Sequence, residues 1–466
     1  MTFPAKFLWG AATSAYQIEG RAPGDGLGSS VWDEFCARPG RVQGGESGAV
    51  ACDHYRRFAA DVQLMRDLGL QAYRFSVAWP RVLPAGRGAV NSAGLAFYDR
   101  LVDALLAARI EPWLTLFHWD YPLALYREGG WLHPDSPRWF ADYTRVVVDR
   151  LSDRVRHWIT LNEPQCFIGL GHQTGLHAPG DKLPLDRTLL AAHHVLLAHG
   201  LAVQTIRAHA KLPPVVGWSP TGEVPLPATE APEDVGAARE VYWHVAPDSV
   251  WNMAWWLGPA VLGAYPEQGL RAYGAAVPRF TDAEMRTISQ PLDFLGLNIY
   301  HGYACRRSGA GAVEIVPPTP GHAQTHNHWR VAPAALRWGP VFAHERCGLP
   351  VVITENGMAA HDSVSLDGAV HDPQRIDFLA RYLGQLRQAV ADGVPVLGYF
   401  AWSLLDNFEW AEGYRFRFGL VHVDFATQRR LPKDSARWYR ECIRSNGASL
   451  PLPDPAPAGS ADLVRS

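Results

Sequence analysis

Two glutamates stand at the ends of apolar runs, where a carboxyl has little packing value. Val351-Val352-Ile353-Thr354 reads as a buried strand that delivers Glu355 to its lip, with Asn356-Gly357 as the turn that ends it. Ile159-Thr160-Leu161-Asn162 does the same for Glu163, and Pro164 follows. Burying an ionised carboxyl is costly unless it is paired or hydrogen-bonded, so one such group would simply face water. Two of them point to paired acid/base chemistry.

The elements that must carry this pair are eight short apolar runs, at residues 7–16, 72–79, 112–119, 155–162, 215–219, 294–300, 351–356 and 396–404. Between them lie stretches with helical periodicity, such as 55–68 and 96–106. Eight alternating strand and helix units with nearly continuous apolar strands predict an α/β chain folded as a single (β/α)8 barrel; a doubly wound open sheet is the second choice. Sites in barrels sit at the C-terminal strand ends. Those ends bring Gln17 after the first strand, Arg74 within the second, His118 and Trp119 after the third, and Asn162 and Glu163 after the fourth. Asn298 and Tyr300 close the sixth, Glu355 the seventh and Trp402 the eighth, with Glu409 and Trp410 just beyond. Residues 221–247 and 306–331 read as long rim loops. The barrel is expected over 1–445, and the Pro/Ala-rich residues 446–466 read as a poorly ordered tail.

A net charge of -3 and a charged fraction of 19% offer no basic surface for nucleic acid. Eighteen Trp and sixteen Tyr supply flat faces suited to the C–H faces of sugars. Cys36, Cys52, Cys166, Cys305, Cys347 and Cys442 lack metal or redox spacing and read as free thiols. No signal peptide and no bilayer-spanning run of about 18 apolar residues is read, so the cytoplasm is the expected location. A metal-dependent barrel hydrolase would want His-x-His after the first strand, where Gln17 stands; His322, His326 and His328 fall in a predicted loop. His193, His194 and His199 sit on a helical stretch, and Gly24, Gly26 and Gly28 lack the context of a dinucleotide loop.

Several stretches together resemble the family 1 glycoside hydrolases of the β-glucosidase type. They are F-L-W-G-A-A-T-S-A-Y-Q-I-E-G ending at Gly20, Y-R-F-S-V-A-W-P-R ending at Arg81, T-L-F-H-W-D ending at Asp120, W-I-T-L-N-E-P ending at Pro164, I-T-E-N-G ending at Gly357, and Y-F-A-W-S-L-L-D-N-F-E-W ending at Trp410. The resemblance implies retaining hydrolysis of β-linked sugars, with Glu163 as acid/base and Glu355 as nucleophile. It makes Gln17, His118, Asn162, Glu409 and Trp410 the hydroxyl-reading shell, with Trp119 beside them. Trp402 becomes the stacking platform, Arg74, Asn298 and Tyr300 the groups that hold the nucleophile, and Trp329 a leaving-group-side ring. No metal or cofactor is implied. The expected partner is a small β-glycoside or cello-oligosaccharide, not nucleic acid or a membrane, and homo-oligomerisation stays open.

Retention needs one carboxylate to attack while a carboxylic acid protonates the departing oxygen. Repulsion from Glu355 is expected to raise the pKa of Glu163, and Arg74 to keep Glu355 charged. Asn162 is the expected contact for the 2-hydroxyl. A Glu at 409 argues against a 6-phosphate substrate, because a carboxylate repels it. A phospho-glycosidase or transglycosylase on this scaffold is the alternative, and a non-catalytic sugar-binding barrel is disfavoured because both Glu163 and Glu355 are present. Three departures from the family pattern stand out. Gln165 follows N-E-P and Tyr121 follows H-W-D, both expected near the rim, and Gly258 replaces a usual Asp.

Overall fold

The structure is a computed structural model and describes residues 2–451. Eight parallel strands close into a barrel: β1 Leu8–Ala12, β2 Ala72–Ser76, β3 Glu111–Phe117, β4 His157–Asn162, β5 Val215–Ser219, β6 Phe294–Asn298, β7 Val351–Asn356 and β8 Val396–Trp402. Each strand pairs with its neighbours in chain order, and β1 closes on β8 with Leu8 opposite Gly398 and Ala12 opposite Trp402. Every expected run holds a strand, but several stop early. The first run turns into the helix Ala15–Ile18 and the second into Trp79–Val82.

Inward-facing side chains plug the barrel beneath that mouth. Ala12, Ala72, Trp113, Ile159, Phe294, Val352 and Phe400 form one cluster, with the Trp113 ring 5.2 Å from Phe294 and 5.1 Å from Phe400. Small residues on β1 and β2 make room for these rings; a Cβ at Gly10 would lie 2.5 Å from Phe400. The filled interior is a floor rather than a pore. Outside, helices such as His54–Asp67, Ser92–Ala107, Ser136–Leu151 and Pro373–Ala391 bury one apolar stripe each against the strands. The helix Leu185–His209 is, by length and composition, apolar enough to cross a bilayer, but most of it is buried inside the protein as a core helix. It packs on Ser136–Leu151, and its histidines face protein: His193 meets the Tyr265 hydroxyl at 2.9 Å, His194 the Trp131 carbonyl at 2.7 Å and His199 the Thr160 hydroxyl at 2.7 Å.

Both expected rim loops carry structure of their own. Residues 221–247 include the strand Val224–Pro227 and the helix Pro232–Tyr242, and the second stretch overlaps a hairpin of Gly302–Arg307 with Val313–Ile315. The three strands form a small sheet beside the mouth. Two prolines in Val224–Pro227 hide its strand character, since proline cannot donate to a ladder and suits an edge.

Buried cations are matched one by one. Arg81 meets Glu19 at 2.7 Å and Asp25 at 3.0 Å, and Lys433 meets Asp362 at 2.5 Å and Asp406 at 2.7 Å. Removing one partner of such a pair leaves an uncompensated buried charge and costs about 3–5 kcal/mol. The expected tail is docked where it is described: Asn446 accepts from Trp9 Nε1 at 3.0 Å and donates to the Phe3 carbonyl at 2.8 Å, and Leu450 is buried. The rest of that tail, residues 452–466, lies outside the described residues.

Candidate active site

Both glutamates owe their aim to irregular backbone. The pairing of β4 with β5 slips between Ile159 and Asn162, and that of β7 with β6 slips between Ile353 and Glu355. Slips of this kind bend a strand and redirect its side chains. Glu163 then sits at φ 48°, with its N–H bonded to the Ser219 carbonyl at 2.7 Å. Trp119 and Trp410 also hold positive φ, at 77° and 57°. Left-handed backbone costs a non-glycine residue about 1–3 kcal/mol, so the packing around the mouth must impose it. Asn356 and Gly357 do not form the expected turn. Asn356 ends the strand with its side chain bonded to the Ile299 carbonyl and the Tyr399 hydroxyl, at 2.7 and 2.9 Å. A Cβ on Gly357 would lie 1.8 Å from the Trp402 carbonyl, so glycine is needed for close approach to β8.

One hydrogen-bonded network joins the two carboxyls. Arg74 is fully buried and pairs through Nη1 with Glu355 Oε1, while its Nη2 donates to Asn162 Oδ1 at 2.5 Å. Tyr300 donates to Glu355 Oε2 at 2.6 Å. Asn298 donates to Asn162 Oδ1 at 2.9 Å and to Glu163 Oε1 at 2.7 Å, and is itself fixed by the Thr354 hydroxyl at 2.6 Å. Cys166 completes the set by donating to Glu163 Oε2 at 3.1 Å. Asn298 thus serves both carboxyls, bonding Glu163 directly and helping to lower the pKa of Glu355.

The same network separates the two carboxyls electrostatically. Burial pushes Glu163 up to about 8, and the charge of Glu355 adds to the rise. Repulsion alone was expected; loss of solvent is the larger cause. Burial raises Glu355 as well, but Arg74 and then the Tyr300 hydroxyl pull it back, so Glu355 is the better placed of the two to carry the charge. His118 is held neutral by burial and then by Arg74. Asn162 Nδ2 donates to His118 Nε2 at 3.1 Å, which leaves the proton on Nδ1, an atom with no protein partner.

A cavity of about 280 Å³ opens above the pair. Its wall includes His118, Trp119, Glu163, Tyr300, Trp329, Glu355, Trp402, Glu409 and Trp410. Gln17, Arg74, Asn162 and Asn298 stand behind that wall. Gln17 donates to the Phe408 carbonyl at 2.9 Å and reaches Glu409 at 3.4 Å. Trp402 and Trp410 both lie nearly parallel to His118, at 5.7 and 5.9 Å, and Trp410 leans on Trp119 at 4.5 Å. Trp329 packs on Tyr300 and His301, at 5.1 and 5.0 Å. Sequence reasoning missed Cys166, Leu170, Glu223, Trp251 and Phe416 in the wall. Cys166 and Leu170 lie one helical turn apart just after Pro164, and that spacing was the available signal.

Of the three departures, Gln165 and Tyr121 are fully buried behind the wall and not at the rim. Tyr121 packs on Trp131 at 4.9 Å, and Gln165 Oε1 accepts from the Thr221 N–H at 3.3 Å. A Cβ at Gly258 would meet the Ala264 carbonyl at 2.8 Å. The loop histidines diverge: His322 meets the Val331 carbonyl at 3.1 Å, while His326 lies against His361 with the two rings tilted by 33°. Among the described residues, no three His, Cys, Asp or Glu side chains gather as a metal set.

Residues 1–448 match the family described as glycosyl hydrolase family 1. β-Glucosidase A of Thermotoga maritima is 42% identical over 446 residues, covering 96% of this chain and 98% of that protein. A β-glucosidase of Agrobacterium sp. is 42% identical over 443 residues, covering 94% of each. The solved T. maritima family 1 β-glucosidase superposes with a TM-score of 0.87 at 42% identity, over 96% of this chain and 99% of that one. That enzyme has also been solved with glucoimidazole, at a TM-score of 0.88, and with galacto-hydroximolactam, at 0.87. With a closed barrel, two carboxyls at facing strand ends and a match along nearly its whole length, the chain belongs to glycosyl hydrolase family 1.

Proposed function

We propose that the chain is a retaining β-glucosidase that releases the terminal non-reducing β-D-glucosyl residue of small β-glycosides and cello-oligosaccharides. The observation that carries this reading is the pair Glu163 and Glu355, buried in one cavity and held in unlike environments by the Arg74, Asn162 and Asn298 network. In the first step Glu355 attacks the anomeric carbon, the bond to the glycosidic oxygen breaks, and Glu163 transfers its proton to that oxygen. The sugar is then esterified to Glu355, so the charge that raised Glu163 is gone and Glu163 ionises. In the second step Glu163 takes a proton from water, the water oxygen attacks the anomeric carbon, and Glu355 departs as carboxylate.

Residues of the wall and just behind it supply recognition. His118 Nδ1–H is free to donate to a hydroxyl. Asn162 has one amide hydrogen beyond the one given to His118, placed beside Glu163 for the 2-hydroxyl. Trp402 offers its face to the ring, and Gln17 acts through Glu409, which it holds. Trp329 and His301 lead outward to an open groove with Glu223, Tyr303 and Arg330, where a leaving group fits. Because the T. maritima relative has been solved with both gluco- and galacto-configured inhibitors, we read this site as gluco-specific with galacto tolerance.

A 6-phosphate is disfavoured by the make-up of the wall rather than by the charge of Glu409. Burial, and then the charges of Glu355 and Glu163, push Glu409 up to about 8, so near pH 7 it is largely uncharged and repels little. Among the described residues, the cavity wall contains no lysine or arginine to receive a phosphate. Comparing kcat/KM for an aryl β-glucoside and its 6-phosphate should favour the unphosphorylated sugar by about 100-fold or more, since a buried, unpaired phosphate forfeits its hydration. A preference for the phosphate, or no turnover of the glucoside, would overturn the reading.

A further inference from the structure

Cys166 is the one group on the acid/base carboxyl that neither the strand-end pattern nor the mechanism above uses. It lies on the first turn of the helical segment Gln165–Gln173, and its N–H donates to the Glu163 carbonyl at 2.9 Å. That turn folds its Sγ back over the Glu163 side chain, 3.1 Å from Oε2, and Cys166 forms part of the cavity wall. The two oxygens of Glu163 are therefore not equivalent. Oε1 faces an amide N–H of Asn298, which can only donate, so a proton on Glu163 must sit on Oε2.

We infer that Cys166 is a positioning residue for the acid/base, its thiol lending a weak hydrogen bond to Glu163 Oε2 so that this carboxyl stays usable in both protonation states. The proposal rests on the reading of Glu163 given above. A strong donor at this place, such as an amide or a cation, would hold Glu163 ionised and take away the acid. An apolar side chain would leave the ionised base with a single donor in a buried site. A thiol lies between, being a weak donor that can turn its S–H aside when Oε2 carries a proton. Burial, together with the charge of Glu163, keeps the thiol itself protonated. The other titratable groups around Glu163 are Glu355, Arg74, Glu409, Tyr300 and His118, each supplied by a different strand end, and none of them donates to Oε2.

The test is the pH profile of kcat/KM on an activated aryl β-glucoside for wild type, Cys166→Ala, Cys166→Ser and Glu163→Gln. Loss of the donor in Cys166→Ala should move the basic limb to higher pH by about 0.5–1 unit, because the ionised carboxyl is less stabilised. Cys166→Ser restores a donor and should keep the limb at or below the wild-type position. Identical limbs in wild type and Cys166→Ala, or equal upward shifts in Ala and Ser, would overturn the proposal. Persistence of the basic limb in Glu163→Gln would instead overturn the assignment of Glu163. Should Cys166→Ala fail to fold, Cys166→Val fills the space of the thiol without a donor. That variant must show the upward shift, and an unmoved limb then counts against Cys166.

Discussion

Glu355→Ala is expected to lose activity on β-glucosides by about 10⁴-fold or more, equivalent to at least about 5.5 kcal/mol of transition-state stabilisation, because no other wall group can attack the anomeric carbon. The same change leaves a specific vacancy. Arg74 Nη1 and the Tyr300 hydroxyl, which both donate to Glu355, then face an empty space with an unpaired cation at its back. A small anion fits that place, so azide should restore part of the rate on a substrate with a good leaving group. Since azide would attack from the side of the missing carboxylate, the product should be the α-glucosyl azide. Proton NMR of the product decides it: undiminished activity, or a β-azide, would remove Glu355 from its role. Because Arg74 stays bonded to the Thr354 carbonyl and to Asn162, the fold has partners left for the buried guanidinium.

Glu163→Ala should produce a different pattern of loss. Phenols acidic enough to depart without a proton should still be released, so the first step survives for them. Cellobiose and alkyl glucosides, whose oxygen must be protonated, should fall by about 10³-fold or more, within the range that general acid catalysis commonly supplies. With the base also gone, the glucosyl-enzyme should persist, and azide should accelerate its breakdown to the β-glucosyl azide. The two variants thus give azides of opposite configuration, a contrast that general damage to the site cannot produce. In the wild type, Glu163 is lifted far above the usual carboxylate range by burial and by Glu355, so kcat/KM should hold through neutral pH and decline on the alkaline side as that proton is lost. The decline should be absent from Glu163→Gln on the activated substrate.

The barrel was legible because its strands are buried on both faces and read as nearly unbroken apolar runs; Val351–Asn356 and Val215–Ser219 were bounded correctly from sequence. The two carboxyls were legible for the complementary reason, that a Glu after such a run has no packing purpose. What sequence hid was tertiary. The positive φ of Trp119, Glu163 and Trp410 is imposed by packing on residues that do not favour it. Desolvation outweighs repulsion at Glu163 because the wall closes around it, a fact about depth and not about spacing. The rim placement given to Tyr121 and Gln165 failed for the same reason, since sequence order puts them beside His118 and Glu163 but both side chains are buried and neither lines the cavity. Cys166 was marked only by its helical spacing from Leu170, and its contact with Glu163 Oε2 follows from the tertiary fold.

The central claim is that a covalent glucosyl ester forms on Glu355. A 2-deoxy-2-fluoro-β-glucoside with a dinitrophenyl leaving group suits the test, because the fluorine slows both steps while the leaving group restores the first, so the intermediate accumulates. Peptide mass spectrometry of the inactivated enzyme should then find one fluoroglucosyl adduct, on Glu355 and on no other residue. An adduct on a different carboxyl, or none in an enzyme that turns over the parent glucoside, would contradict the account.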